Sequence, residues 1–175
     1  MKTHLPSKWY TIYVRQNFEK KLAKELQNSG FQVFLPLKKE EKVWSDRKKI
    51  SETPIFPSYL FLNLPDEQTF RRALSIVNIK FFIRFGSEFA LLKESEIHQI
   101  KILEQSGCIY SIEILEHLFK KGEQLQIEKG PLKGLKCFFD SLKGADYIIV
   151  FIESIRQNIK VTLPLEYMKQ KLAGV

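Results

Sequence analysis

Short runs in which apolar and polar positions alternate set the first reading of this chain. Residues 9–14 are β-branched and aromatic and give way to Arg15 and Gln16, so a strand is expected there. Residues 59–64 form a second run, closed by Pro65 and entered through a turn framed by Pro54 and Pro57. Side chains in a strand alternate faces, which puts Leu60, Leu62 and Leu64 on one side and Tyr59, Phe61 and Asn63 on the other. The leucine side reads as core of a central strand. The aromatic side, with Phe56 close by, must be covered either by another layer of the same domain or by a partner.

Elsewhere the apolar spacing lengthens to three or four. Phe18, Leu22 and Leu26 make the inward stripe of a helix, with Asn17 placed to cap it and Gly30 placed just past its end. Lys20 and Lys24 fall on the opposite face and Lys21 between, beside Arg15. Pro65 and Asp66 open a short helix through Phe70 and Leu74, whose adjacent Arg71 and Arg72 cannot both point inward. A third helix is expected over residues 94–105, with Ile97, Ile100 and either Leu103 or Glu104 along one side. Residues 31–37 and the Ile- and Phe-rich residues 76–85 supply further strands, the latter leaving through Gly86. Between them, residues 38–50 are highly charged around Val43 and Trp44, with Arg47, Lys48 and Lys49 at a hairpin tip or mobile loop. No function is assigned to Trp44.

Strands and helices thus mix along residues 1–105 without a glycine-rich phosphate loop. The pattern is that of an α+β sandwich, an antiparallel sheet flanked by helices, and not of a nucleotide-binding unit. Residues 106–121 read as a linker, although Ile112, Ile114, Leu115, Leu118 and Phe119 are too apolar for a plain flexible one, so part of it should pack. Residues 122–175 contain short β-rich runs at 123–128, 136–140, 147–152 and 158–163 between glycine or polar turns. That spacing indicates a small β-barrel.

Composition narrows the function classes. With 175 residues and 44% hydrophobic content, the chain accommodates one large domain or an ordinary one plus a small one. No apolar run is long enough to span a bilayer and the N-terminus lacks a signal-peptide core, so a cytoplasmic protein without a membrane partner is expected. Cys108 and Cys137 lack metal-site spacing and should be buried thiols; His4, His98 and His117 are scattered. No metal, cofactor or catalytic constellation is implied, and an enzyme is not expected. Of the net charge of +8, +7 lies in residues 1–50, where 12 Lys and Arg face five Asp and Glu. A one-sided basic surface suits a polyanion, and an ordinary solvated lysine face fits the composition equally well.

Four segments, in order along the chain, carry a resemblance. Lys8-Trp9-Tyr10, Phe56-Pro57-Ser58-Tyr59, Phe82-Ile83-Arg84-Phe85-Gly86 and Gly130-Pro131-Leu132-Lys133-Gly134-Leu135 resemble the NusG family of bacterial transcription elongation factors. Ser58 replaces the glycine of the family's Phe-Pro-Gly-Tyr signature, and the last segment resembles the KOW motif. The segment around Arg84 looks most like the RfaH-like and UpxY-type paralogues. The resemblance implies an NGN-like domain over residues 1–105 and an SH3-like KOW domain over residues 122–175. It also implies an apolar patch of Phe56, Tyr59, Phe61, Ile79, Phe82 and Phe85 that docks on the clamp helices of RNA polymerase, which requires Tyr59 and Phe61 to be partly exposed. Arg15, Lys20, Lys21 and Lys24, with Arg71 and Arg72, would contact the non-template DNA strand. The KOW domain would meet ribosome or termination factor. RfaH-like proteins hold this domain either as a barrel or as a helical hairpin. The β-branched residues 148–152 and the glycines at 130, 134 and 144 favour the barrel. A housekeeping elongation factor and a ribosome-bound or RNA-binding KOW protein are the alternative readings.

Overall fold

The computed structural model describes residues 8–43, 48–105, 111–115, 124–127, 132–142 and 145–162. Two compact units divide the chain, residues 1–94 and 95–175.

In the first unit, β1 (Trp9–Val14) and β5 (Tyr59–Asn63) are the interior strands of an antiparallel sheet. β2 (Gln32–Phe34) lies outside β5, and β6 (Ile79–Phe82) outside β1. Two hairpins stand apart from this sheet, one of β3 (Leu37–Val43) with β4 (Lys48–Pro54) and one of β7 (Arg84–Phe85) with β8 (Glu88–Phe89). The apolar run 76–85, read above as one strand, is therefore divided between β6 and β7. Gly86 at φ +67° opens the two-residue loop of the second hairpin, where its missing Cβ removes the penalty of a left-handed backbone. β9 (Leu91–Leu92) returns to pair with Trp9 and Tyr10.

Two helices close one side of the sheet. Helix α1 (Glu19–Asn28) buries Leu22, Ala23 and Leu26. Its cap is Phe18, which has no side-chain cap bond. Asn17 is displaced from the expected capping position because it occupies a left-handed conformation, φ 63°, which its short polar side chain tolerates. The helix ends in a Schellman arrangement: Gly30 N–H donates to the Gln27 carbonyl and Phe31 N–H to that of Leu26, with Gly30 at φ +81°. Helix α2 (Glu67–Leu74) begins as the sequence indicates, with the Asp66 carboxylate accepting the Thr69 N–H at 2.7 Å. Bonds from the Thr69 hydroxyl and backbone hold the Asp66 carboxyl below its ordinary range. Beneath these helices lies a core of Ile12, Val14, Leu60, Leu62, Leu64 and Phe82 with α1 and Phe31. Tyr10, Phe70, Phe82 and Phe89 meet there ring to ring, with centroids 5.1–6.0 Å apart. Burial raises the Tyr10 phenol above its ordinary pKa.

All but the first residue of α3 (Glu94–Gln105) lies in the second unit, and the helix buries Glu96, Ile97, Ile100 and Leu103. Glu96 accepts from Ser154 N–H at 2.9 Å and from the Ser154 hydroxyl, at a single 3-10 turn, Glu153–Ile155. Five antiparallel strands form its sheet in the order β10, β14, β13, β12, β11: β10 (Ser111–Leu115), β11 (Gln124–Gln126), β12 (Lys136–Leu142), β13 (Ala145–Ile152) and β14 (Gln157–Thr162). β10 occupies part of the stretch read above as a linker, and it includes Ile112, Ile114 and Leu115, three of the residues too apolar for a flexible connection. The β-branched run 148–152 is strand, not helix. Leu135, Ile149, Val150, Ile152, Ile159, Val161 and Cys137 are buried in this unit. Cys108, His4, His117, Trp44, Arg47, Gly130, Pro131 and Gly144 lie outside the described residues.

Candidate functional site

β1 and β5 pair with Tyr13 opposite Tyr59, Thr11 opposite Phe61 and Trp9 opposite Asn63. These residues share the sheet face turned away from α1 and α2. On its Trp9 end the face is closed. Phe61 and Thr11 are buried, and Phe61 meets Phe34 at 6.1 Å and Phe56 at 5.8 Å between centroids. Trp9 Nε1 donates to Glu94 Oε1 at 2.8 Å.

The other end of the same face is open. Tyr13 stacks on Phe81 with centroids 4.9 Å apart and planes 8° from parallel, and Tyr59 meets Tyr13 edge-on at 6.0 Å. Phe81 is 54% exposed, while Tyr13 and Tyr59 are half-buried. Partial burial, and then the neighbouring Tyr13, raise the Tyr59 phenol above its ordinary pKa. A register shift in β6 builds this patch. Phe82 pairs with Ile12 and Phe81 with Tyr13, yet Ile79 pairs with Val14, so Lys80 is the extra residue of a bulge. The bulge sends Ile79 and Phe82 to the helix side and leaves Phe81 on the open side.

Of the six apolar residues named from the sequence, Tyr59 alone belongs to this open cluster. Ile79 and Phe85 are half-buried, and Phe56, Phe61 and Phe82 are buried. The expectation that Phe61 is partly exposed is thus corrected: its ring fills the space between Phe34 and Phe56. Tyr13 and Phe81 were missed. Alternation along 9–14 puts Tyr13 on the face opposite Ile12 and Val14, a signal that was available; its place beside Tyr59 depends on the strand register, and Phe81 on the bulge.

The Phe-Pro-Ser-Tyr turn is held from three sides. Ser58 adopts φ 67°, Tyr59 N–H donates to the Phe56 carbonyl, and Val14 N–H to the Ser58 carbonyl at 2.8 Å. Ser58 N–H donates to Glu19 Oε1, also at 2.8 Å, and Glu19 is 3% exposed. Glu19 is the first residue of α1, where a carboxylate also suits the helix dipole.

Arg15, Lys20, Lys21 and Lys24 are all exposed around α1. Lys20 Nζ lies 3.8 Å from Glu52 on β4, and Lys21 sits 5.0 Å over the Phe18 ring. The two arginines of α2 point apart, as adjacency demands. Arg71 bonds Glu67 one turn back, at 2.6 Å. Arg72 lies 5.0 Å over the Phe31 ring and donates to the Ser29 carbonyl at 3.0 Å, so it staples α2 to the end of α1. Arg84 stacks 4.0 Å over Phe89. Among the described residues no three potential metal ligands gather, and no helix is long and apolar enough to cross a membrane.

The first unit is thus a mixed α/β fold that carries an open aromatic patch and a helix with exposed lysines. Residues 7–101 match the family described as transcription termination factor NusG. Along 90% of its length the chain is 24% identical to the transcription termination/antitermination protein NusG of Borreliella burgdorferi, covering 89% of that protein. Its fold is similar to a solved structure concerned with domain interaction in Thermotoga maritima NusG, with a TM-score of 0.53, 18% identity, and coverage of 91% of this chain and 95% of that one. The chain belongs to the NusG family, whose members act in transcription elongation and antitermination.

Proposed function

We propose that this protein is a specialised NusG paralogue that binds the clamp helices of RNA polymerase and suppresses pausing or termination on specific operons. The observation that carries the reading is the open cluster of Tyr13, Tyr59 and Phe81. Aromatic rings bury large rigid area at little entropic cost, so a few of them can supply most of an interface's energy. Ile79 and Phe85 extend the proposed contact, and Phe56, Phe61 and Phe82 act as its packed foundation. Arg15, Lys20, Lys21 and Lys24 hold phosphates of the exposed non-template strand. Arg71 and Arg72 contribute less, because their intramolecular bonds, 2.6 Å to Glu67 and 3.0 Å to the Ser29 carbonyl, are closer than the 3.8 Å pair of Lys20 with Glu52. The second unit serves as an SH3-like KOW domain, a site for ribosome or termination factor. Residues 1–105 and 122–175 act as the two functional domains. The protein works by binding, with no catalytic step and no cofactor, in the cytoplasm at the nucleoid.

A general elongation factor is the second reading, favoured by the likeness to Borreliella burgdorferi NusG along almost the whole chain. Affinity capture of the full chain from cells tests both. RNA polymerase should be recovered by the wild type and not by the variant combining Tyr59→Ala with Phe81→Ala; ribosomal subunits in its place would make the protein an RNA-binding KOW module. Genome-wide crosslinking then separates the two family readings, since occupancy of one operon marks the specialised factor and occupancy of most genes the general one. Replacing Lys20, Lys21 and Lys24 by alanine should flatten the salt dependence of complex binding by up to about one slope unit for each phosphate no longer neutralised.

A further inference from the structure

We infer that Glu19 is a positioning residue that fixes the aromatic docking turn to the basic helix, so that polymerase and DNA are gripped in one geometry. This rests on the proposed function above. Glu19 is nearly fully buried, in the first turn of a helix whose other charged residues are mostly exposed. A carboxylate in such a place has given up most of its water and must be compensated by hydrogen bonds. Here the Ser58 N–H supplies one at 2.8 Å, from a residue in a left-handed conformation. The bond is short-range, directional and charge-assisted, and it joins segments 39 positions apart.

Its two ends are what give it functional weight. On one side Glu19 is followed directly by Lys20 and Lys21, which face solvent. On the other, Ser58 precedes Tyr59 of the open aromatic cluster. The Ser58 carbonyl is tied to Val14 N–H, next to Tyr13 and Arg15, so the turn cannot pivot about the Glu19 bond. Two weak interactions made by one rigid body reinforce each other, because the second is made at a high effective concentration; a loosened joint lets each form without placing the other. Glu19 touches neither proposed partner and acts through Ser58.

The test uses the full-length labelled protein and measures its affinity for RNA polymerase alone and for an elongation complex with an exposed non-template strand. Wild type should bind the elongation complex about tenfold more tightly than polymerase alone, the expected reward of the second interaction. Glu19→Ala should keep its affinity for polymerase alone within about threefold and lose most of that gain. Glu19→Gln, whose amide oxygen can still accept the Ser58 N–H, should restore it. Glu19→Asp withdraws the acceptor by one methylene and carries the same expectation as alanine, should the alanine variant fail to fold. The inference is overturned if the alanine and aspartate variants retain the gain, if the glutamine variant loses it as fully as they do, or if both affinities fall in parallel. Failure of the underlying reading looks different: wild type itself would show no gain, and alanine at Lys20, Lys21 and Lys24 would change nothing.

Discussion

Phe61 and Tyr59 stand on the same side of β5, two positions apart, in the same kind of residue run, and they have opposite environments. Phe61 is sealed between Phe34 and Phe56, whereas Tyr59 opens toward solvent beside Tyr13 and Phe81. Face and residue type are shared, so neither distinguishes an aromatic that packs from one free to dock. What distinguishes them is distance along the strand from the covered end. A partner must find its anchors where the covering stops.

The sharpest way to break this contrast is to truncate each end. Phe61→Ala removes a fully buried ring and should cost about 3–5 kcal/mol of stability by chemical denaturation, with polymerase binding by the remaining folded protein reduced less than by loss of Tyr59 and Phe81. Equal stability losses at Phe61 and Tyr59 would erase the distinction. Next in size, Tyr59→Ala combined with Phe81→Ala should cost binding at least about 2 kcal/mol for each true hot spot, while unfolding shifts far less, as expected of partly exposed sites. Calorimetric titration against purified polymerase, run beside thermal melts, measures both.

A smaller effect sharpens the boundary between the two ends. Ser58 holds φ 67° at the junction, where an L side chain costs roughly 1–2 kcal/mol and glycine would cost about 0.5–1 in unfolded-state entropy. Ser58→Gly should therefore raise stability by about 0.5–1 kcal/mol, measured as an increased urea midpoint at constant slope. Smallest is the response to alkali. Because the Tyr59 pKa is raised above 10.0 in the folded state, its contribution to stability is complete below about pH 10 and is lost as pH climbs through the raised value. The phenolate absorbance of wild type minus that of Tyr59→Phe should show this tyrosine titrating late.

Periodicity made much of this architecture legible. The β1 and β5 runs, the Leu22 and Leu26 stripe, the Gly30 stop, the Asp66 start and the full extent of α3 follow from local chemistry. Three features escaped it for a common reason: each is settled by neighbours distant in sequence. Burial of Phe61 depends on Phe34 and Phe56 converging on it. The exposure of Phe81 rather than Phe82 depends on one unpaired residue in β6, and a one-residue slip reverses every side chain beyond it. The role of Arg72 depends on the end of α1, 43 positions away, so its adjacency to Arg71 revealed only that the two diverge. The anchoring of Ser58 by Glu19 had no sequence signal beyond a serine where the resemblance led one to look for glycine.

The hairpin of β3 and β4 has a consequence for how this protein can change over generations. Its pairs run from Leu37 with Pro54 to Val43 with Lys48, a separate two-stranded ribbon whose strands pair only with each other and which is tied down near its base, where Ile55 N–H donates to the Pro36 carbonyl. Seven strand residues at about 3.4 Å each give it a length of roughly 24 Å. Among the residues whose burial is described, the core beneath α1 and α2 includes none from these strands. Substitutions at exposed ribbon positions such as Lys39 and Ile50 therefore leave that core nearly untouched, and selection can rewrite them independently. Such a ribbon is an evolvable appendage on a fixed chassis.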